Sequence, residues 1–321
     1  MQTEQKKIKN ILVVRNDRFG EFLLNIPALR ALRETYTDAR IILVVSPVTQ
    51  ELASAVPYVD EVIVWGRERR SLQDKLHCVS LLRKKAIDMA VMLNPSKEFN
   101  IFTHLAGIPI RVGYDRKWGF LLTKKMEDRK YLGEKHEVQY NLDLVKLAGA
   151  QTKDFSLSLK IDDRAADGLV GDKATGTLVA IHPWTSDPVK QWPFENFVSL
   201  ANRLSGIPGI TPVIVGGKDE SLKAKDIFET GSINLTGATT LLQLAALLRK
   251  CRLLISGDSG PVHLASAAGT PVLALFRNDL PGKTARRWGP WGEGSSVIER
   301  EKLSQISVDE VFAKTKEMLK I

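Results

Sequence analysis

Short runs that are apolar throughout alternate with longer amphipathic stretches along most of the chain. In the first half, Ile8–Val14, Ile41–Val45, Glu61–Trp65 and Asp88–Leu93 read as strands, with helices at Ile26–Tyr36 and Leu72–Lys84. Continuous β-branched runs without polar alternation suit a parallel sheet covered on both faces. Around Gln151–Lys173 the pattern loosens into polar and glycine-containing sequence, and a domain junction is placed there. The rhythm then restarts with strands at Leu178–His182, Thr211–Val215, Ser232–Leu235, Arg252–Ser256 and Pro271–Phe276. Helices are expected at Glu195–Leu204, near Ser221–Phe228, at Leu241–Cys251 and at Val262–Ala268. Thr239 or Thr240 is placed to cap the third of these, since a hydroxyl there accepts bonds from orphan amides. The last helix, about Val308–Leu319, is amphipathic, and its packing partner is left open, the first domain included. This strand–helix alternation predicts an α/β protein of two Rossmann-like, doubly wound domains, residues 1–160 and 161–321. A cleft is expected at the carboxyl ends of the two sheets, where open α/β sheets bind ligands.

Composition narrows the class. The chain has 321 residues, 44% hydrophobic and 26% charged, ordinary values for globular domains. No run holds the roughly 18 apolar residues that cross a bilayer. The basic start, MQTEQKKIKN, leads into a short valine-rich run ending at Arg15 and Asp17, a buried strand rather than a secretion signal. Cys78 and Cys251 stand isolated, which gives no disulfide framework or metal site and fits reduced cytoplasmic thiols. The net charge of +9 is unevenly spread: residues 1–160 hold 27 Lys and Arg against 19 Asp and Glu. The second half holds 19 against 18, so the excess belongs to the first half and favours a phosphorylated partner. Nucleic acid is disfavoured as that partner, because the basic half lacks clustered aromatics or a reading motif.

Four segments carry candidate chemistry. Ser256-Gly257-Asp258-Ser259-Gly260-Pro261-Val262-His263 lies between a strand and a helix. Its glycines allow a tight turn, Ser259 or Asp258 is placed to cap the helix, and Pro261 suits the first turn. The exposed amides and the positive helix end make a diphosphate site. Asp258 is expected to hold loop amides or a ribose hydroxyl, and His263 lies on the first turn. The loop after His182 offers Thr185, Ser186 and one cation, Lys190, suited to the charge that grows on a departing diphosphate. After the first strand comes Arg15-Asn16-Asp17-Arg18-Phe19-Gly20-Glu21, a carboxylate pair flanked by arginines that offers a base for an attacking hydroxyl. In Val215-Gly216-Gly217-Lys218-Asp219-Glu220 an acid such as Asp219 is placed to bind ribose.

In order along nearly the whole chain, these segments resemble glycosyltransferase family 9, the ADP-heptose:lipopolysaccharide heptosyltransferases. The resemblance runs through Ile11–Arg15, Arg18–Glu21, Pro27–Leu32, His182-Pro183, Lys190–Pro193 and Gly216-Gly217. It continues through Asp258–His263, Ala268–Val272 and Gly289–Gly292. It implies a GT-B fold, a nucleotide sugar bound by the second domain, an acceptor bound by the first, and inverting transfer of heptose without a metal or cofactor. By motif match the base is Glu21, with Asp17 as the alternative. Lys190 and the amides at Ser259–Gly260 stabilise the leaving ADP, and Thr185, Asp258 and His263 complete the nucleotide side. Arg18, Arg67, Arg69, Arg70, Arg111 and Arg116 are the expected contacts to a phosphorylated glycolipid acceptor. The implied location is the cytoplasm, with peripheral, salt-sensitive contact at the anionic inner-membrane face. Two departures stand out: Glu21 occupies the place of the family's usual Asp, and Arg277-Asn278-Asp279 replaces a common Gly-Pro-Thr. Other donors or surface-glycan acceptors, and a nucleotide-binding member without activity, are the competing expectations.

Overall fold

The computed structural model describes residues 7–66, 68, 70–171, 176–220 and 231–321. The chain divides into two compact units, Met1–Tyr131 with Glu137–Phe155, and Leu132–His136 with Ser156–Ile321. Among the described residues, no helix is long and apolar enough to cross a membrane.

The first unit is built on strands β1 (Asn10–Val14), β2 (Arg40–Val45), β3 (Glu61–Val64), β4 (Met89–Met92), β5 (Ile110–Tyr114) and β6 (Lys124–Met126). Its helices are α1 (Phe19–Leu23), α2 (Ile26–Thr35), α3 (Gln50–Ser54), α4 (Leu72–Lys84), α5 (Lys97–Leu105) and α6 (Glu137–Leu147). The strands pair in the order β3-β2-β1-β4-β5-β6, parallel throughout. The apolar runs are buried as such runs must be: Ile11, Leu12, Val13 and Val14 have no exposure at all. One face of the sheet packs on Trp65, Phe99 and Phe102, three rings in mutual edge-on contact. α4 starts where Ser71 Oγ accepts the Asp74 amide (3.1 Å) and Asp74 accepts the Ser71 amide (3.1 Å), a capping box.

The second unit contains β7 (Thr177–His182), α7 (Phe194–Ser205), β8 (Ile210–Ile214), β9 (Ile233–Asn234) and α8 (Leu241–Lys250). It continues with β10 (Leu253–Gly257), α9 (Gly260–Ala268), β11 (Val272–Arg277), α10 (Ala285–Trp288), β12 (Ser296–Arg300) and α11 (Val308–Leu319). The strand order β9-β8-β7-β10-β11-β12, again all parallel, repeats the topology of the first sheet. Thr240 caps α8, accepting the Gln243 amide at 3.3 Å. The final helix lies in this unit, with Val311 and Leu319 in the same core as Phe197 and Leu200 of α7. The helix expected near Ser221–Phe228 lies outside the described residues.

In each sheet the strand order reverses between the first strand and its neighbour β4 or β10. Side chains leaving the carboxyl ends of those strands meet there, at the topological switch point.

Candidate active site

In the first unit the loop after β1 is organised around Arg15, which is 3% exposed. Its Nε donates to Asp17 Oδ1 (2.7 Å), and one terminal nitrogen donates to the Leu93 carbonyl beyond β4 (3.3 Å). Glu137 of α6 approaches the same guanidinium at 3.6 Å and accepts from Lys130 Nζ at 2.6 Å. The mostly shielded Asp17 and the buried Glu137 are thus balanced by two cations, which offsets the cost of withdrawing their charges from water. Asn16 joins the loop to its neighbours, donating to the Trp65 carbonyl (3.4 Å) and accepting from Asn94 (3.3 Å).

Glu21 sits in the first turn of α1, where its carboxylate accepts the Arg18 amide at 3.2 Å. Burial, and then the negative charge of Asp17, raise its pKa above the ordinary carboxylate value, while Arg15 and the Arg18 amide oppose the shift. The two acids of this loop therefore differ. Asp17 is held in an ion pair by Arg15, whereas Glu21 has no cation bonded to it among the described contacts and carries a raised affinity for a proton.

In the second unit the loop from Pro183 to Pro193 is stitched by Gln191. Its Nε2 donates to the Pro183 and Trp192 carbonyls (both 2.7 Å), and its Oε1 accepts the Thr185 amide (3.2 Å). Trp192 anchors the far end, fully buried edge-on to Phe197 and donating to the Ile306 carbonyl at 2.9 Å. Trp184 anchors the near end by lying on Gly216, where a Cβ would come within 2.5 Å of its ring. Thr185 Oγ1 donates to the Asp187 carbonyl (2.8 Å), and Ser186 is exposed. The loop thus brings Lys190 Nζ to 2.5 Å from Asp258 Oδ2, with both side chains mostly shielded from water. Burial raises the Asp258 pKa, and Lys190 works against that shift.

The start of α9 differs from the sequence expectation. Ser259 occupies the N-cap position, but its side chain does not cap the helix. Its hydroxyl instead lies 2.8 Å from Ser256 Oγ and 3.2 Å from His182 Nδ1, because β7 and β10 are neighbours and end side by side. Asp258, the other expected cap, faces Lys190. The start of α9 thus presents the positive end of its dipole without a capping bond from Ser259. His182, fully enclosed, has its pKa lowered to about 4 by burial, so it is neutral at physiological pH. His263 is buried on the first turn of α9, and Asp219 is exposed. Glu220 rather than Asp219 closes the glycine turn, accepting the Gly217 amide.

The predicted arginines separate. Arg18 is exposed beside Glu21. Arg70 pairs with Glu68 (2.9 Å) and lies over the Trp65 ring, and Arg116 pairs with Asp128 (2.8 Å). Arg111 stands near the start of β5, at the opposite end of the sheet from Arg15. Its donors go to the Leu121 (2.8 Å) and Ile108 carbonyls, so it ties backbone rather than awaiting a ligand. Arg67 and Arg69 lie outside the described residues. Arg277 was not among the predicted site residues. It donates to the Val189 carbonyl (3.3 Å), next to Lys190, and pairs with Asp279. A cation at the carboxyl end of β11 was the available signal.

The family model for glycosyltransferase family 9 (heptosyltransferase) matches residues 77–315. The chain belongs to this family. Lipopolysaccharide heptosyltransferase 2 of Salmonella typhimurium is 24% identical over 294 residues, covering 85% of this chain and 84% of its own. A family 9 glycosyltransferase from Veillonella parvula superposes with a TM-score of 0.83 at 23% identity, covering 97% of both chains. The ADP-heptose lipopolysaccharide heptosyltransferase II of E. coli superposes at 0.81 and 21% identity, over 97% of this chain and 98% of that one. Family membership makes the protein a glycosyltransferase, and the superpositions give it the GT-B fold of two doubly wound α/β domains.

Proposed function

We propose that the protein transfers a heptose from ADP-heptose to a sugar hydroxyl of a phosphorylated lipopolysaccharide core, with inversion at the anomeric carbon. In this reading the hydroxyl oxygen attacks the anomeric carbon, its proton passes to Glu21, and the bond from that carbon to the diphosphate oxygen breaks. Negative charge grows on the diphosphate, where Lys190 and the amides at Ser259 and Gly260, at the start of α9, stabilise it. Lys190 supplies the cation, so the reading requires no metal or other cofactor. Thr185, Ser186, Asp219, Asp258 and His263 are assigned to the nucleotide sugar, and Arg18, Arg70 and Arg116 to acceptor phosphates. Such an acceptor places the work at the cytoplasmic face of the inner membrane.

The observation that carries this reading is Lys190 held at Asp258, beside a helix start that the Ser259 side chain leaves uncapped. The relatives named for lipopolysaccharide heptosyl transfer support the choice of sugar and acceptor. One observation favours a second donor: Arg277 and Asp279, beside Val189, bring a charged pair to the nucleotide side. ADP release is the deciding assay, run with ADP-heptose and a core-truncated lipopolysaccharide. Acceptor-dependent release that collapses in Glu21→Gln supports the proposal. Release from another sugar nucleotide but not from ADP-heptose overturns the donor, and release that survives Glu21→Gln moves the base to Asp17.

A further inference from the structure

The excess positive charge of the chain is concentrated in one stretch. Residues 67–125 hold 13 Lys and Arg against 5 Asp and Glu, a net of +8 out of the chain's +9. Besides β4, β5 and most of β6, that stretch contains α4, α5 and the turn Trp118–Phe120, which carry Lys75, Lys97 and, next to the turn, Lys117. α5 packs against both α4 and the Gly119–Leu121 turn, and Lys97 of α5 links them, lining the groove beside α4 and lying over the Trp118 ring.

The surface of these elements is apolar where it should not be. A groove of about 420 Å³ runs between α4 and α5, bordered by Leu72, Leu76 and Leu105 and flanked by Lys75 and Lys97. The three leucines are 73%, 59% and 49% exposed. The surface continues through Lys97, whose Nζ lies 4.3 Å from the centre of the Trp118 ring, to Phe120, 5.7 Å from Trp118 and 69% exposed. Trp118 is presented by a backbone that runs left-handed at both Lys117 (φ 48°) and Trp118 (φ 69°). Such conformations are costly for residues with a Cβ and persist where the surroundings impose them. Here the imposing group is Asn100, 1% exposed, which donates to the Lys117 carbonyl at 3.0 Å.

Clustered, protruding apolar side chains ringed by cations match an interface of apolar depth and anionic surface. Leucine and phenylalanine favour the acyl boundary, indole favours the headgroup level, and lysine stems let the ammonium reach phosphate. We propose that this face docks on an anionic phospholipid bilayer. Leu72, Leu76, Leu105 and Phe120 enter the acyl boundary, Trp118 lies among the headgroups, and Lys75, Lys97 and Lys117 meet the lipid phosphates. The assignment rests on this surface and not on the transfer reaction, so it is tested without donor or acceptor.

The test is sedimentation of the full chain with vesicles of phosphatidylcholine containing about a third phosphatidylglycerol, at about 0.15 M salt. Wild type is expected to co-sediment, and Leu72→Ser/Leu76→Ser/Phe120→Ser to bind at least about tenfold more weakly. Lys75→Gln/Lys97→Gln/Lys117→Gln is expected to lose about a hundredfold. Brominated lipids should quench Trp118, read as the difference between wild type and Trp118→Phe. The substituted side chains are exposed apart from the half-buried Lys75, and unchanged thermal midpoints check folding; if Phe120→Ser unfolds, the leucine pair carries the test alone. No vesicle binding by wild type overturns the proposal, as does apolar-variant binding equal to wild type. A soluble dimer that the leucine substitutions dissolve would also overturn it, by showing that the face meets a second copy.

Discussion

Lys190 Nζ and Asp258 Oδ2 lie 2.5 Å apart, joining the loop after β7 to the loop after β10. The pair fixes the cation at one position beside the start of α9. Lys190→Ala is expected to lower kcat by about 10²–10³ with the fold intact, as removal of a charge-stabilising donor does. Asp258→Asn should keep the cation but loosen its placement, giving a smaller loss. Steady-state ADP release from both variants checks this, and equal losses would mean that Asp258 acts on the substrate directly.

Glu21 carries a pH signature. A base must be ionised, so kcat/KM should rise with pH through a pKa above the ordinary carboxylate value of 4.5, and Glu21→Gln should remove that limb. Glu21→Asp withdraws the carboxylate by about 1 Å and is expected to cost up to about a hundredfold.

Stability provides an independent reading of the same residue. Because the folded-state pKa is raised, Glu21 favours the fold at pH below 4.5 and loses that contribution as pH rises through the folded value. Glu21→Gln should therefore raise the thermal midpoint at neutral pH, by about 2–4 °C for each kcal/mol gained, and leave it nearly unchanged at acid pH. A lower midpoint at neutral pH would contradict the burial argument.

His182 has the opposite sign. Its pKa falls from 6.5 to about 4 in the folded protein, so its contribution is complete above 6.5 and is lost as pH falls through 4. Urea midpoints of wild type should drop over that interval, and His182→Gln should flatten the drop. An NMR titration placing the imidazole near 6.5 would refute the enclosure.

Arg15 is the structural centre of its loop. Arg15→Met leaves Asp17 and Glu137 without their shared cation and should cost about 3–5 kcal/mol, measurable in urea. Arg15→Lys should recover part of this, since one ammonium cannot reach all three acceptors.

Much of the fold was legible because parallel strands are apolar throughout: Ile41–Val45 and Leu72–Lys84 were placed within a residue of the observed β2 and α4. Three strands, β5, β6 and β12, were not read. β6, Lys-Lys-Met, has no apolar run, and the half-buried β5 carries Arg111 inside it. The site was legible in its motifs but not in its bonding. Ser259 reads as a helix cap from spacing alone, and only strand pairing, which sets His182 opposite Ser256, shows why its hydroxyl turns away. Arg111 failed for a related reason. A sequence gives the charge of an arginine but not the end of the strand on which it stands.

Gly257 has no side chain and no chemistry, yet a methyl group there would meet both the Lys190 carbonyl and Thr185 Cγ2 at 3.3 Å. The loop that holds the cation therefore rests directly on backbone, and its height above the sheet is set by a hydrogen atom. Alanine at this position would lift the loop by a few tenths of an ångström and shift Lys190 and Thr185 while leaving every functional group chemically unchanged. In this protein, a gain or loss of catalytic speed can arise from a residue that a comparison of reactive side chains would pass over.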